Sequence, residues 1–334
     1  MLAEGVALRS KLEGLESPRM RLASLRWDRT HRTGLILVVT TATAYALMDV
    51  TAKLAYRGGL TIETLLATRF LAAAALAGIV VWSLRLRPVP SPDRAVLVVL
   101  LGGIGYAAES LLLNEALFRM PVSTVILIFY LYPAIVALFA VAIGQERMSL
   151  AKAGAVALGL LGVAVLLSFP VEGMTTAGVV FAVAAAAAFA AYAVLAQRAI
   201  LNVHPLAFSG LVLFGAGATI AVIGLFKGSY PVGLGTAAGA WVLAHTVLIC
   251  IAITGFLAAM KRLGATGASI GNMLEPGIAV VLSVIVLDET FGGLQFLGAA
   301  LLLLAIALLP LFGSKEPQVI AEQPVVQAAR GTST

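Results

Sequence analysis

The sequence predicts an all-α integral membrane protein with ten transmembrane helices, arranged as two inverted repeats of five. Three observations support this fold class: an apolar composition, ten apolar stretches of similar length, and a match of the sequence to itself at a constant offset. Of the 334 residues, 61% are hydrophobic and only 11% are charged, whereas a soluble domain carries about 25% charged residues. This composition excludes the soluble classes and indicates a chain embedded in a lipid bilayer.

The apolar stretches each have about the 17–25 residues that a helix needs to span a bilayer. Helices are expected because every backbone polar group must be satisfied within the lipid. Turn-forming segments such as RPVPSPD and KGSYP separate the stretches. The predicted spans are 34–56, 62–84, 95–118, 121–143, 151–169, 176–199, 205–226, 240–260, 268–287 and 293–312.

Basic residues predict which side of the membrane each connection occupies. With the N-terminus inside, all but five of the 22 lysines and arginines fall on the cytoplasmic side, as the positive-inside rule requires. We therefore expect both termini to lie in the cytoplasm. The five exceptions are Lys53, Arg57, Arg69, Arg119 and Lys227.

A shift of 143 residues aligns the first half of the chain with the second, so that Pro133 falls on Pro276 and Glu146 falls on Glu289. Because each half holds five spans, an odd number, the second half is expected to enter the membrane in the opposite direction. The predicted organisation is a basic N-terminal extension, two five-helix repeats and a C-terminal tail, at 1–33, 34–169, 176–312 and 313–334.

Pro133 and Pro276 occupy matching positions inside apolar helices. We expect both to kink their helices near the middle, because proline lacks an N–H group and clashes with the preceding turn. Interrupted helices at matching positions of inverted repeats indicate a binding site between the two halves. A purely structural kink is the alternative for each proline taken alone.

Ionisable residues inside the predicted spans are candidates for that site, because charge is costly in lipid unless it is paired or hydrated. Tyr45, Asp49 and Lys53 recur at steps of four and share one face of the first helix. Asp49 and Lys53 are expected either to pair with each other or to meet the two charged groups of a zwitterion. Arg69 is expected to grip a carboxylate of the substrate, with Glu63 or Asp49 as alternative partners.

Further candidates lie on later spans. Glu109 lies near the middle of its span, and Glu275 immediately precedes a proline, where a carboxylate is tolerated if it faces a wet cavity. Either carboxylate is expected to bind a substrate amine or a proton, unless a basic group pairs with it. The remaining candidates are Tyr106, Tyr130, Tyr192, His245 and Asn272. For the tyrosines, packing or an interfacial position is the alternative.

Glu146 and Glu289 each end a predicted span. We expect them to cap the starts of the fifth and tenth helices, whose first backbone N–H groups lack partners within the helix. Neither is expected to be a substrate ligand.

The motifs of several enzyme classes are absent or out of context. GASIG at 267–271 matches G-x-S-x-G, but it opens an apolar helix and no histidine follows it in the sequence. The chain lacks a Walker A loop and an HExxH motif, and its single cysteine is Cys250. No enzymatic activity, cofactor, metal site or nucleic-acid partner is therefore expected.

Two segments carry a resemblance to a known family: ALFRMPVSTVILIFYLYPAIVALFAVAIGQERMS in the first half and RLGATGASIGNMLEPGIAVVLSVIVLDET in the second. Each has small residues, an apolar run with a central proline, and a glutamate that closes the helix. Over residues 34–312 this pattern resembles the EamA family of the drug/metabolite transporter superfamily. The FYLYP form resembles bacterial exporters of amino acids and related metabolites, including the aromatic amino-acid branch.

The resemblance implies a secondary transporter that exports amino acids or related metabolites, either facilitatively or with a proton carried by Glu109 or Glu275. The two halves complete one site between them, so a monomer is sufficient. Proton-coupled efflux of cationic drugs is the alternative, and it requires an acidic, aromatic-lined pocket without a countering arginine. A non-transporting membrane scaffold is a remote alternative, and it requires interior carboxylates that are all paired. Arg69 and Lys53 favour a substrate with a carboxylate.

Overall fold

The structure, a computed structural model, describes residues 29–86, 91–144, 150–167, 173–200, 203–230, 236–272, 274–290 and 292–308. Within these ranges every regular element is a helix, which confirms the all-α prediction for the described part of the chain. Most of the predicted N-terminal extension and C-terminal tail, and Glu146, lie outside the described residues.

The helices start and end where the sequence supplies suitable caps. Thr61 and Thr175 accept hydrogen bonds from backbone N–H groups in the first turns of their helices. Gly228 ends another helix with a left-handed φ of 64°. In chain order the helices are α1 (Arg29–Arg57), α2 (Ile62–Ser83), α3 (Pro92–Arg119), α4 (Val122–Phe129 and Tyr132–Ala142), α5 (Leu150–Leu167), α6 (Thr176–Ala199), α7 (Pro205–Lys227), α8 (Thr236–Gly271), α9 (Leu274–Leu287) and α10 (Gly293–Leu308).

Six helical segments within the described ranges are long and apolar enough to cross a membrane. Large apolar side chains such as Trp82, Phe226 and Ile104 are exposed on the outside of the bundle, where lipid contact suits them. The prediction of ten crossings is not settled by these lengths and stays a prediction. The six segments are Ile62–Ser83, Pro92–Arg119, Val122–Phe139, Thr176–Ala199, Pro205–Lys227 and Ala238–Arg262.

The most extensive helix contacts join the first half of the chain to the second. α1 packs against α8, α2 against α7, α3 against both α6 and α7, and α5 against α10. Apart from the α3–α7 contact, exchanging each helix with its counterpart five helices away turns this set of pairs into itself. The contacts therefore match an organisation in two repeats, while the inverted relation of the two halves stays a prediction.

A short π-helical segment, Leu101–Tyr106, lies inside α3 at the sequence LGGIGY. Its glycines bring α3 unusually close to α7: a Cβ atom added at Gly102 would lie 2.1 Å from the Val212 carbonyl oxygen. Gly215 is equally constrained, since its Cβ would lie 2.1 Å from the Val99 carbonyl oxygen. The extra residue of a π turn rotates the rest of the helix, and here it sets the direction of the α3 side chains that follow it.

Both proline-containing helices are interrupted, but not at the proline itself. α4 breaks at Tyr130 and Leu131, and the chain between α8 and α9 turns at Asn272. Pro133 and Pro276 lie in the first turn of the segments that follow, where a missing N–H group costs nothing because it would have no partner within the helix. The expected mid-helix kink is thus a break that precedes each proline.

α8 is longer than the sequence indicates. The predicted eighth span ends at 260 and the ninth begins at 268, but one helix runs from Thr236 to Gly271. Lys261 lies inside this helix, and its amine donates to the Val203 carbonyl at 3.1 Å.

Candidate substrate cavity

A polar cavity lies between the two halves, with walls from α1, α2, α3, α4, α6 and the α8–α9 turn. Its volume is about 40 Å³, which holds a few water molecules and is too small for an amino acid. The lining residues are Tyr45, Met48, Asp49, Ala52, Arg69, Tyr106, Glu109, Ser110, Leu113, Asn114, Phe129, Tyr132, Phe189, Asn272 and Glu275.

Most of the residues that the sequence singled out meet at this cavity, although they come from four different parts of the chain. Helical spacing brings the α1 and α3 residues to one face of each helix, and the break before α9 turns the last two toward the same space. Those that line the cavity are Tyr45, Asp49, Arg69, Tyr106, Glu109, Asn272 and Glu275. Their role as substrate ligands stays a prediction.

Asp49 and Lys53 do not pair, contrary to one of the two expectations from their spacing. Asp49 lies at the cavity, and among the described residues nothing bonds its buried Oδ2 atom. Lys53 lies one turn further along α1, and its amine donates to the carbonyls of Leu117 and Met120 at 2.5 and 2.9 Å. Lys53 therefore caps the C-terminus of α3, where a cation is favoured, and does not line the cavity.

Arg69 lies in α2 and is 4% exposed. Its Nη1 atom is 2.9 Å from Nδ1 of His245 in α8, and its guanidinium carbon lies 4.8 Å from the centroid of the Phe70 ring. Its Nε atom has no partner, and in the part of the chain that the structure describes no carboxylate pairs with it. Glu63, one alternative partner, instead pairs with Lys227 at 2.7 Å.

Glu109 lies just after the π-helical segment of α3. Its Oε2 atom accepts a hydrogen bond from the Ser110 hydroxyl at 2.9 Å, and the described residues supply no basic partner for it. One turn further along α3, Asn114 accepts from the Tyr56 hydroxyl at 2.5 Å and donates to the Ser110 carbonyl at 2.8 Å. These bonds fix the polar face of α3 toward the cavity.

Glu275 is held at the interrupted start of α9. Its Oε2 atom accepts from the Tyr130 hydroxyl at 3.0 Å and from the Asn272 side-chain amide at 3.3 Å. The Tyr130 hydroxyl also lies against the Asn272 carbonyl oxygen. The two helix interruptions therefore meet each other, and the single hydroxyl hydrogen of a tyrosine from the first break is shared between a backbone carbonyl and a carboxylate at the second.

Aromatic rings form one wall of the cavity. Tyr132 and Phe189 make an edge-to-face contact with centroids 4.7 Å apart, and Phe129 lies 5.2 Å from Tyr132. The sequence analysis overlooked Phe129 and Phe189 as candidates. Phe189 precedes Tyr192 by three residues in an alanine-rich helix, so the shared face was a usable signal.

Three predicted residues lie behind the lining and not in it. Tyr130 supports Glu275, as described above. Tyr192 packs against Tyr106 with ring centroids 5.3 Å apart, and its buried hydroxyl has no partner among the described residues. His245 is fully buried and reaches the cavity only through Arg69.

Glu289 caps a helix other than the expected one. Its carboxylate accepts from the backbone N–H groups of Val122 and Ser123 at 2.7 and 3.0 Å, and from the Ser123 hydroxyl at 2.7 Å. These donors begin α4 in the other half of the chain, whereas the sequence analysis assigned Glu289 to the start of the tenth helix. The expectation was wrong because it considered only the next helix in sequence, while the end of α9 lies beside the start of α4.

The cavity combines one guanidinium, three carboxyl groups and an aromatic wall. A guanidinium binds carboxylates in a bidentate manner, while carboxylates and aromatic faces both attract ammonium groups. Across the described residues, His, Cys, Asp and Glu side chains form no group of three able to hold a metal ion. The arrangement suits a small organic ion that carries both signs of charge.

A family model, described as the EamA-like transporter family, matches residues 32–168 and again residues 176–311. A comparison with curated protein sequences finds no significant match. One similar solved crystal structure has 22% sequence identity and a TM-score of 0.62, and the match covers 83% of this chain and 97% of that chain. Identity this low supports the shared fold alone.

Proposed function

Because the chain belongs to the EamA-like transporter family, we propose that it exports amino acids or related small metabolites by alternating access. Members of this family are membrane transporters of the drug/metabolite type, which accounts for the apolar helices and the repeated matched segment. The finer proposal includes ten membrane crossings, two inverted halves, cytoplasmic termini and a location in the bacterial inner membrane. The two halves enclose one cavity, so the transporting unit is a monomer.

The observation that carries the substrate proposal is the state of Arg69. A buried arginine usually has a carboxylate partner, but among the described residues the Arg69 side chain is hydrogen-bonded to a histidine nitrogen and to no carboxylate. Its positive charge is therefore left for a ligand, and a carboxylate is the ligand that suits a guanidinium best. The substrate amine is received by the carboxylates of Asp49, Glu109 and Glu275.

Transport requires the cavity to widen and to open to alternate sides. In inverted-repeat transporters one half rocks against the other around a site at the membrane midplane. Here the interrupted helices α4 and α8–α9 meet at Glu275, so a movement between the halves changes the shape of the site directly. Coupling is either absent, as in facilitated export, or uses a proton carried by Glu109 or Glu275.

Efflux of cationic drugs is less well supported. The three carboxyl groups and the aromatic wall suit a cation, but Arg69 lines the same cavity and repels it. A non-transporting scaffold is not supported either, because the buried Oδ2 atom of Asp49 lacks a partner in the described part of the chain.

Counterflow into proteoliposomes tests the proposed function. Purified protein is reconstituted, and uptake of radiolabelled amino acids is measured without a pH gradient and then with one imposed. Exchange without a gradient identifies a facilitative exporter, and exchange that appears only with the gradient identifies proton coupling, which either Glu109→Gln or Glu275→Gln should then abolish. Cationic drugs are run in parallel. Flux of drugs and not of amino acids under either condition overturns the substrate proposal.

A further inference from the structure

His245 is a buried polar residue that the cavity does not use directly. It lies in α8, is fully buried, and contacts two residues of the first half of the chain. Nδ1 is 2.9 Å from Arg69 in α2, and Nε2 is 2.9 Å from the Thr51 hydroxyl in α1. The imidazole thus links three helices and both halves at the back of the cavity.

The hydrogen-bond roles of this link follow from the chemistry of its members. A guanidinium has only donors, so Nδ1 of His245 must accept from Arg69. The ring proton is then on Nε2, which donates to the Thr51 oxygen. Thr51 has a single hydroxyl hydrogen, and that hydrogen goes to the Leu47 carbonyl at 2.6 Å. Each donor in this series of hydrogen bonds, which runs from Arg69 to Leu47, then has one acceptor. Only the neutral imidazole with its proton on Nε2 fits this series.

A neutral acceptor has a different effect on Arg69 from that of a carboxylate. A carboxylate in the place of His245 would fix the guanidinium and also cancel its charge, leaving nothing to attract an anion. The imidazole fixes one amino group of the guanidinium and leaves the charge whole. The Nε atom, which also lacks a partner among the described residues, remains available for a second contact.

We propose that His245, oriented by Thr51, is a positioning residue that holds Arg69 at the cavity without a directly bonded carboxylate, and so selects substrates that carry a carboxylate. The substrate preference in this inference rests on the proposed function. The tautomer of His245 rests on the structure alone. His245 does not touch the substrate. Its effect is therefore confined to substrates that use Arg69.

The first arm of the test measures the tautomer without any substrate. Nitrogen NMR of histidine-labelled protein reports which ring nitrogen carries the proton, and the chain has only three histidines, so His245→Asn assigns the signal. The expected signal is that of a neutral ring protonated at Nε2, and it should keep this tautomer in Thr51→Val, because Arg69 still offers only donors to Nδ1. A neutral ring protonated at Nδ1, or a cationic ring, at pH 7 overturns the proposal.

The second arm compares an amino acid with the corresponding amine, which lacks the carboxylate. In counterflow, His245→Leu is expected to raise KM for the amino acid about tenfold or more, since a hydrogen bond to a charged group is lost, and to leave the amine unchanged. His245→Asn keeps an acceptor near Nδ1 and should restore most of the affinity. Thr51→Val serves as the milder variant if His245→Leu does not fold.

The outcomes separate the two proposals. The positioning role is overturned if His245→Leu changes KM equally for the amino acid and for the amine. It is also overturned if His245→Leu leaves KM unchanged for a substrate whose KM depends on Arg69. If the wild-type protein carries no amino acid, the proposed function fails, while the NMR arm still decides whether His245 holds Arg69 as a neutral acceptor.

Discussion

The charged residues at the helix ends and those around the cavity differ in their partners. The end charges are Lys53, Glu63, Lys227 and Glu289, and each is bonded to a backbone group or to an opposite charge. The cavity charges are Asp49, Arg69, Glu109 and Glu275, and none of them forms an ion pair within the described residues. Because unpaired charge is costly away from water, we infer that the end charges stabilise the fold and propose that the cavity charges receive a ligand.

Arg69→Met should have the largest effect. It removes the one cation that lines the cavity among the described residues, so transport of a carboxylate-bearing substrate should fall about a hundredfold or more, in line with the loss of a buried charge contact. The measurement is initial counterflow at a fixed substrate concentration. Arg119→Met is the matched control, because Arg119 pairs with Glu115 on the exposed end of α3, where an ion pair contributes little. Equal losses of transport in Arg69→Met and Arg119→Met would contradict the distinction between the cavity charges and the end charges.

Glu289→Leu should destabilise the protein without changing the site. Three donors at the start of α4 lose their acceptor, and each unsatisfied donor costs about 1–3 kcal/mol when buried. We expect a lower unfolding temperature in detergent and an unchanged KM in the fraction that stays folded. Glu289→Gln keeps one acceptor oxygen, so its unfolding temperature should lie between those of the wild type and Glu289→Leu. A changed KM with an unchanged unfolding temperature would assign Glu289 to the site.

Lys53→Met should resemble Glu289→Leu on a smaller scale. The variant removes the amine that bonds the last carbonyls of α3, and the expected loss is about 1–2 kcal/mol of stability. KM should stay the same, because Lys53 does not line the cavity. The structure and the residue spacing of α1 lead to different expectations here, because the spacing allowed a direct contact between Lys53 and the substrate. A tenfold rise in KM would restore that earlier interpretation.

Tyr130→Phe should have the smallest effect. The ring remains, but Glu275 loses one of its two hydrogen bonds, so KM should rise about threefold, as expected for one neutral hydrogen bond. Tyr230→Phe is the matched control, because the Tyr230 hydroxyl donates to the Ala221 carbonyl at 3.0 Å and does not line the cavity. No change in Tyr130→Phe would indicate that Asn272 alone holds the carboxylate.

The sequence could predict the cavity well where the information is local. Helical periodicity places Asp49 with Tyr45, and Glu275 with Asn272, because residues three or four apart share a face. The repeat then indicates that interrupted helices face each other, and the structure brings Tyr130 at one break to Glu275 at the other. Fold class and most of the lining follow from these two regularities.

The errors arise where a partner is distant in sequence. Lys53 shares a face with Asp49, but the carbonyls that hold it come from α3. Glu289 ends a helix, but the N–H groups that it caps are in the other half of the chain. His245 has a polar side chain in an apolar helix, and nothing in its own segment indicates that Arg69 is its neighbour.

The most direct test of the central claim is substrate protection at the cavity. The chain has one cysteine, so Cys250→Ala gives a cysteine-free background with a single change. Ser110→Cys then places a thiol in the cavity lining, and Ser83→Cys places one on the exposed end of α2 as the control. The rate of modification by a small maleimide is measured with and without amino acid. We expect the amino acid to slow the reaction at position 110 and not at position 83. Equal rates at position 110, with transport intact, would contradict the assignment of this cavity as the substrate site.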